Sequence, residues 1–247
     1  MDLNGQVALV TGGGTGLGRE TALELARAGA LVAVNFSRSR KAAERVVGQI
    51  GDLGSRAMAV QADITDRSAV SSMVESVGEE LGPVDILVNN AGTTHYLPFE
   101  DLELLVEEKW RRVIDVNVTG AFLCSQAVAP GMRERGEGKI VNVASNSAFT
   151  STGSSIPYVV SKAALVSLTR CLATALAPEV QVNAVAPGWM LTEWIDRHLP
   201  PERAHEIRCG AVPLVPVEDV VRSLVSLITN DSITGEVTVV DRGEMLG

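Results

Sequence analysis

Short apolar runs alternate with longer segments of helical period along the whole chain. The runs Val7–Val10, Leu31–Val34, Arg56–Gln61, Ile86–Val88, Lys139–Val143, Gln181–Val185 and Glu236–Val239 are rich in valine, isoleucine and alanine. Their near-continuous apolar character predicts strands buried on both faces, as in a parallel sheet. Between them, Gly16–Ala28, Ser39–Leu53, Arg67–Leu81, Lys109–Glu134, Tyr158–Leu176 and Val217–Thr229 have helical spacing. This alternation implies an α/β fold: a seven-stranded parallel sheet with helices on both faces, doubly wound through right-handed crossovers. No internal repeat, low-complexity tract or linker breaks the pattern, which predicts one domain over residues 1–247. The least regular stretch is Gly188–Pro216, with Trp189, Met190, Trp194, Pro200, Pro201 and Pro213.

Composition narrows the class. An apolar content of 46% over 247 residues is enough for a large core and argues against disorder. A net charge of −9 disfavours nucleic acid or an anionic membrane as partner. Cys124, Cys171 and Cys209 are odd in number and widely spaced, as expected of free thiols in a reducing, cytoplasmic compartment. The opening Met1-Asp2-Leu3-Asn4 has no basic segment before an apolar one, and no uninterrupted apolar stretch reads as a membrane span, so no membrane association is expected. His95, His198 and His205 are too scattered to predict a metal site, although His198, Glu202 and His205 are spaced to share a helix face.

The candidate chemistry lies in the second half. Tyr158 and Lys162 are four residues apart in a helical run and so share a face. A nearby ammonium favours phenolate, which predicts a tyrosine pKa below its usual value of about 10. Ser145 lies 13 residues before the tyrosine, with Asn146 and Ser147 as rivals for its place. A phenol and a hydroxyl converging on one oxygen suit the interconversion of a carbonyl and an alcohol. The hydride must come from elsewhere. The first strand runs into Thr11-Gly12-Gly13-Gly14-Thr15-Gly16-Leu17-Gly18 and then a helix. Such a turn, closed by a helix N-terminus, can cradle a dinucleotide pyrophosphate. Its Gly-x-x-x-Gly-x-Gly spacing differs from the common Gly-x-Gly-x-x-Gly fingerprint.

With these motifs in order, the chain resembles the short-chain dehydrogenase/reductases, particularly the 3-oxoacyl-acyl-carrier-protein reductases and related ketoreductases. Besides the glycine turn, the resemblance rests on Asp63-Ile64, on Asn89-Asn90-Ala91-Gly92, on Asn117, on Ser145, Tyr158 and Lys162, and on Pro187-Gly188 followed by Thr192. It implies a Rossmann fold, with a cofactor half to about residue 135 and a catalytic and substrate half from about 136. It further implies that Asn117, Ser145, Tyr158 and Lys162 are catalytic. Asn117 also reads as a mid-helix asparagine that competes for backbone bonds, so on either reading the helix is expected to be perturbed there. Tyr158 would pass the proton, Ser145 orient the carbonyl, Lys162 hold the ribose and lower the tyrosine pKa, and Asn117 hold a relay water. The implied cofactor set is Gly12, Gly14, Thr15, Gly16, Leu17, Gly18, Asn35, Ser37, Arg38, Asp63, Ile64, Asn90, Ala91, Gly92, Tyr158, Lys162, Pro187, Gly188 and Thr192.

Cofactor choice turns on Asn35-Phe36-Ser37-Arg38-Ser39-Arg40-Lys41, which has no acid to grip a ribose 2′-hydroxyl and three bases, so NADP(H) is favoured over NAD(H). Arg40 and Lys41 also read as a solvated first helical turn, and Thr15 stands where related NADP enzymes often carry a base. His95 and Tyr96 with Thr94, Phe149 with Thr150, and the Trp189–Leu199 stretch with Trp189 and Trp194 are expected to line a mostly apolar substrate pocket for a medium-sized ketone or secondary alcohol. An NAD-linked alcohol or polyol dehydrogenase and a non-catalytic dinucleotide sensor are the competing readings. Related chains end the last strand in Val-Asp-Gly-Gly; here Arg242 follows Asp241, bringing a large cation near a subunit edge or the active-site mouth. Lastly, Tyr158–Ala177 is apolar all round, and Lys109–Glu134 is similar, which predicts self-association as a homotetramer or dimer through paired helices.

Overall fold

In the computed structural model, residues 1–246 are described. The seven strands are β1 (Val7–Val10), β2 (Leu31–Phe36), β3 (Ala57–Gln61), β4 (Ile86–Asn89), β5 (Gly138–Val143), β6 (Val180–Pro187) and β7 (Val237–Val240). They form one parallel sheet in the order β3-β2-β1-β4-β5-β6-β7. Val10 lies between Val34 and Val88, and Val143 pairs with Val185. The order reverses between β1 and β4, the switch point where doubly wound sheets open a crevice at their carboxyl ends.

Both faces of the central strands are buried. Ala8, Val10, Val32 and Val34 pack with α1 (Gly16–Arg27), α2 (Arg40–Asp52) and α10 (Val217–Thr229). Val7, Leu9 and Ala33 turn to the other face, against α3 (Arg67–Glu80), α5 (Gly120–Arg135) and α7 (Ile156–Leu176). This alternation explains why β1, β2 and β4 read as nearly continuous apolar runs. Helix starts follow local chemistry: Asp66 accepts from Ser68 N at 2.8 Å and Ala69 N at 3.2 Å to cap α3, and Ser155 caps α7.

Three features depart from the sequence pattern. The single helix predicted from Lys109 is α4 (Glu107–Ile114) and α5 joined by a π-helical turn at Asp115–Thr119, so the perturbation expected at Asn117 is real. The irregular Gly188–Pro216 stretch contains two short helices, α8 (Glu193–His198) and α9 (Pro201–Arg208), around a small apolar cluster of Ile195, Leu199, Ala204 and Ile207. A further short helix, α6 (Ser147–Thr150), follows β5. Contrary to the expectation from sequence, Glu107–Arg135 and Ile156–Leu176 are both long and apolar enough to cross a membrane by length and composition. In this fold each sends residues such as Val128, Met132, Ala173 and Leu176 into the core beneath the sheet.

Candidate active site

The carboxyl ends of β1, β2, β4, β5 and β6 open into one cleft of about 950 Å³. Its floor is the glycine turn. Gly12 and Gly16 take left-handed φ values of +62° and +52°, which only glycine adopts at no steric cost. At Gly18 the backbone conformation is ordinary but the space is absent: a Cβ would lie 2.6 Å from Gly12 O and collide with the Asn90 amide. That amide donates to Thr11 O (2.9 Å) and Gly12 O (3.1 Å), stitching the end of β4 to the turn. Gly18 therefore does not line the cleft; it lets Asn90 reach the turn. The other predicted glycines of this motif, Gly12, Gly14 and Gly16, do line it, with Thr15 and Leu17.

The turn accepts an anionic oxygen. Gly16 N donates to Glu193 Oε2 at 3.1 Å, and this carboxylate oxygen stands in for a phosphate oxygen at the start of α1. The residues present thus fit a dinucleotide. At the β2 end, Asn35 is 2% exposed and turned inward, donating to Val60 O and Ala62 O and accepting from Gly12 N. It shapes the turn from below. Ser37, Arg38 and Ser39 line the cleft beyond it. Arg40 is engaged by Gln61 and Glu44 and lies over the Phe36 ring, whereas no hydrogen bond or ion pair among the described residues holds Arg38. Asp63 and Ile64 lie on the same wall. Burial raises the Asp63 pKa, but hydrogen bonds from Thr65 and the charges of Arg112 and Arg38 outweigh it and hold the carboxyl below the usual range.

Ser145, Tyr158 and Lys162 meet across the cleft from this turn. Ser145 follows β5; its Oγ accepts from Ser147 Oγ at 2.9 Å and donates over a long 3.5 Å to Asn146 Oδ1. Lys162 is 4% exposed; its Nζ donates to Val143 O at 2.7 Å and sits 5.6 Å from the centre of the Tyr158 ring. The expected fall in the tyrosine pKa is not found. Burial pushes the Tyr158 phenol up to about 12, against the opposing effect of the Ser145 hydroxyl, and pushes Lys162 down to about 8. Desolvation penalises both charges, and the ammonium is directed at a backbone carbonyl instead of the phenol oxygen.

Asn117 stands behind this group, 1% exposed and outside the cleft lining. Its Oδ1 accepts from Thr93 N at 2.8 Å, and its Nδ2 donates to Thr93 O at 3.0 Å and Ser161 Oγ at 2.9 Å. Both amide hydrogens are used within the protein. Ser161 Oγ in turn donates to Tyr158 O at 2.7 Å, so Asn117 braces the turn of α7 that carries the tyrosine. Neither Ser161 nor Thr93 belongs to a motif recognisable by spacing.

The substrate end is walled by Gly188–Pro216. Trp194 on α8 lies 6.1 Å from the Tyr158 ring and 3.9 Å from the His198 ring, centre to centre. Ala91, Gly92, Thr94, His95, Tyr96, Pro187, Gly188, Trp189, Thr192 and Trp194 line the cleft as expected. Phe149 does not: it is 41% exposed on α6, outside the lining, as is Thr150. The left-handed Ser151 ends α6 and turns the chain, so Thr152, Gly153 and Ser154 face the cleft instead. Arg197 and His198, within the Trp189–Leu199 stretch expected to line the pocket, do so, whereas sequence reasoning missed Arg203 and Glu244, which complete the wall. Arg242 has a left-handed φ of +56°, and its guanidinium donates to Leu214 O at 3.1 Å, so it ties the C-terminal turn to this wall. Among the described residues no cluster of metal-ligating side chains occurs.

Comparison with known proteins agrees with this geometry. The sequence model of the short chain dehydrogenase family matches residues 6–202. A 3-oxoacyl-[acyl-carrier-protein] reductase of Synechocystis is 39% identical over 192 residues, covering 77% of this chain and 76% of that protein. The crystal structure of a short-chain type dehydrogenase/reductase from Mycobacterium marinum is 34% identical with a TM-score of 0.90, over 100% of this chain and 98% of that one. A Brucella melitensis 3-ketoacyl-(acyl-carrier-protein) reductase complexed with NADH is 34% identical with a TM-score of 0.87, over 98% of this chain and 99% of that one.

Proposed function

The chain belongs to the short-chain dehydrogenase family and is an NAD(P)-dependent ketoreductase; from that premise we propose an NADP(H)-preferring enzyme in which Tyr158 donates the proton that turns a ketone into a secondary alcohol. The observation that carries the reading is the meeting of Tyr158, Ser145 and Lys162 in a cleft floored by an anion-accepting glycine turn. A phenol with its pKa near 12 keeps its proton at neutral pH, the state needed to protonate a developing alkoxide. The Ser145 hydroxyl, held by Ser147 and by a long bond to Asn146 Oδ1, turns its proton to the substrate oxygen and shares the charge that develops there. Lys162 is close to its titration point at about 8, and it is read as the group that holds the ribose end of the cofactor. The nicotinamide, when bound, supplies the hydride. Asn117 acts through Ser161 on the backbone of Tyr158 and is a positioning residue.

Preference for NADP(H) is supported by Arg38, the unengaged guanidinium beside Ser37 and Ser39, and by the absence of an acid at the end of β2. In this reading residues 1–135 chiefly bind cofactor and 136–247 carry catalysis and substrate, within one domain. Homotetramer formation is supported by the exposed Phe122 on α5 and Val160 on α7. The three free cysteines support a cytoplasmic location.

A consumption screen over medium-sized ketones and secondary alcohols, run with both nicotinamide pairs, tests the reading. NADPH-linked ketone reduction is expected; the reading fails if no carbonyl or alcohol is turned over. Light scattering tests assembly: about four times the 26.1 kDa chain mass is expected, and a monomer refutes it.

A further inference from the structure

The C-terminal turn carries a carboxylate into the cleft wall. After β7, Asp241 accepts from Gly243 N and Met245 N, both at 2.9 Å, and winds Glu244–Leu246 into a single 3-10 turn. Glu244 Oε2 accepts from Asn146 Nδ2 at 2.9 Å. It also lies 3.0 Å from the point that a Cβ on Gly188 would take, so any larger residue there would crowd it. Asn146 follows Ser145 directly, and Glu244 shares the cleft lining with Ser145, Gly188 and Trp189. Through the Asn146 amide, whose Oδ1 accepts from Ser145 Oγ at 3.5 Å, the carboxylate is linked to the serine read to orient the reacting carbonyl.

Glu244 has no counter-charge. Its donors are the neutral Asn146 amide and the Trp189 indole, and its charged neighbour is Asp241, of like sign. No cation pairs with it among the described residues. Burial, opposed by Asn146 and reinforced by Asp241, raises its proton affinity. A carboxylate offers about four acceptor positions; two neutral donors leave the remainder toward the cleft. Holding such a group partly desolvated and unpaired costs free energy that a ligand donor would recover, whereas a second anion would add to the cost.

We propose that Glu244 is a specificity-determining residue, selecting carbonyl and alcohol substrates that carry a hydroxyl or protonated amine next to the reacting carbon and rejecting those with an anionic group there. The proposal rests on the ketone–alcohol reading above and deepens it. The acceptor face takes up the ligand's hydroxyl or ammonium hydrogen, and repulsion from Glu244 and Asp241 excludes a carboxylate.

Four small ketones of matched size test it: aminoacetone, hydroxyacetone, butanone and pyruvate, each reduced by the native enzyme, Glu244→Gln and Glu244→Asp. Native kcat/KM is expected to fall in the order given. Glu244→Gln should lower the aminoacetone-to-butanone ratio by about tenfold or more, the size of one charged hydrogen bond. Glu244→Asp keeps the charge and should retain the preference. An unchanged ratio in Glu244→Gln overturns the proposal. Binding of 1-amino-2-propanol against 2-butanol, followed by tryptophan fluorescence through Trp189, gives a readout free of turnover. The amine's affinity advantage should shrink in Glu244→Gln, and equal advantage in both proteins overturns the proposal. Absence of turnover with every carbonyl, alongside a preserved binding difference, would instead sink the ketoreductase reading and leave the donor preference standing.

Discussion

The glycine turn after β1 and the stretch from Gly188 to Pro216 wall the same cleft by different means. The turn works through backbone: Gly12 and Gly16 supply left-handed conformations, Gly18 makes room, and Asn90 ties carbonyls together. The Gly188–Pro216 wall works through side chains: Trp194 stacks with His198 and leans toward Tyr158, while Ile195 and Ile207 hold two short helices together. Backbone solutions demand particular residues at fixed spacing, since only glycine meets the steric condition. Side-chain packing accepts many combinations of similar volume. A dinucleotide site is therefore recognisable from a motif, and a substrate wall is not.

The contrast can be broken first where the two regions meet. Tyr158→Phe keeps the ring against Trp194 and removes the hydroxyl. Turnover should fall by about 10² or more, close to 3 kcal/mol, while thermal unfolding and dinucleotide affinity stay near native. Native turnover would remove Tyr158 from the mechanism. Next, Gly18→Val forces a Cβ onto Gly12 O and Asn90, neither of which can move without breaking the turn. A loss of about 2–3 kcal/mol in chemical denaturation is expected; a native midpoint would mean that the turn is softer than its contacts indicate. Arg38→Asp leaves the turn intact and should weaken NADPH relative to NADH by about 1.5–3 kcal/mol in titration calorimetry. An unchanged ratio makes Arg38 surface charge only. The smallest effect belongs to the far end of the substrate wall. Arg242 occupies a left-handed position that glycine fills without strain. Arg242→Gly removes that strain and the bond to Leu214 O. The protein should gain up to about 1 kcal/mol of stability, and a net loss in the melting experiment would show that the Leu214 tie outweighs the strain.

The buried pair gives a pH test of the same ordering. Lys162 has a folded pKa near 8, below the ordinary lysine value of 10.5, so the unfolded chain binds more protons between those values. Stability should rise by about 3 kcal/mol as pH climbs through that window, and Lys162→Met should flatten the rise. Tyr158 has the opposite sign: its folded pKa near 12 lies above the ordinary tyrosine value of 10.0, so its contribution is full below 10 and is lost toward 12.

The sequence by itself determined the strand–helix alternation, the parallel sheet and most of the residues that gather at the cofactor end of the cleft. Those properties rest on burial period and on backbone conformations that few residue types permit, both written locally. It also located the irregularity at Asn117, because an asparagine inside an apolar helix competes for backbone bonds. Only the tertiary structure decided the rest. The protonation of Tyr158 and Lys162 depends on how much of the surrounding chain excludes water, which a four-residue spacing does not convey. Phe149 left the pocket because the left-handed turn at Ser151 set the direction of α6. Glu244 entered it because the strand order brings β7 beside β6, and so sets a turn 98 residues away in the chain against Asn146. Desolvation and side-chain meeting are properties of what the chain folds against, and no local pattern records them.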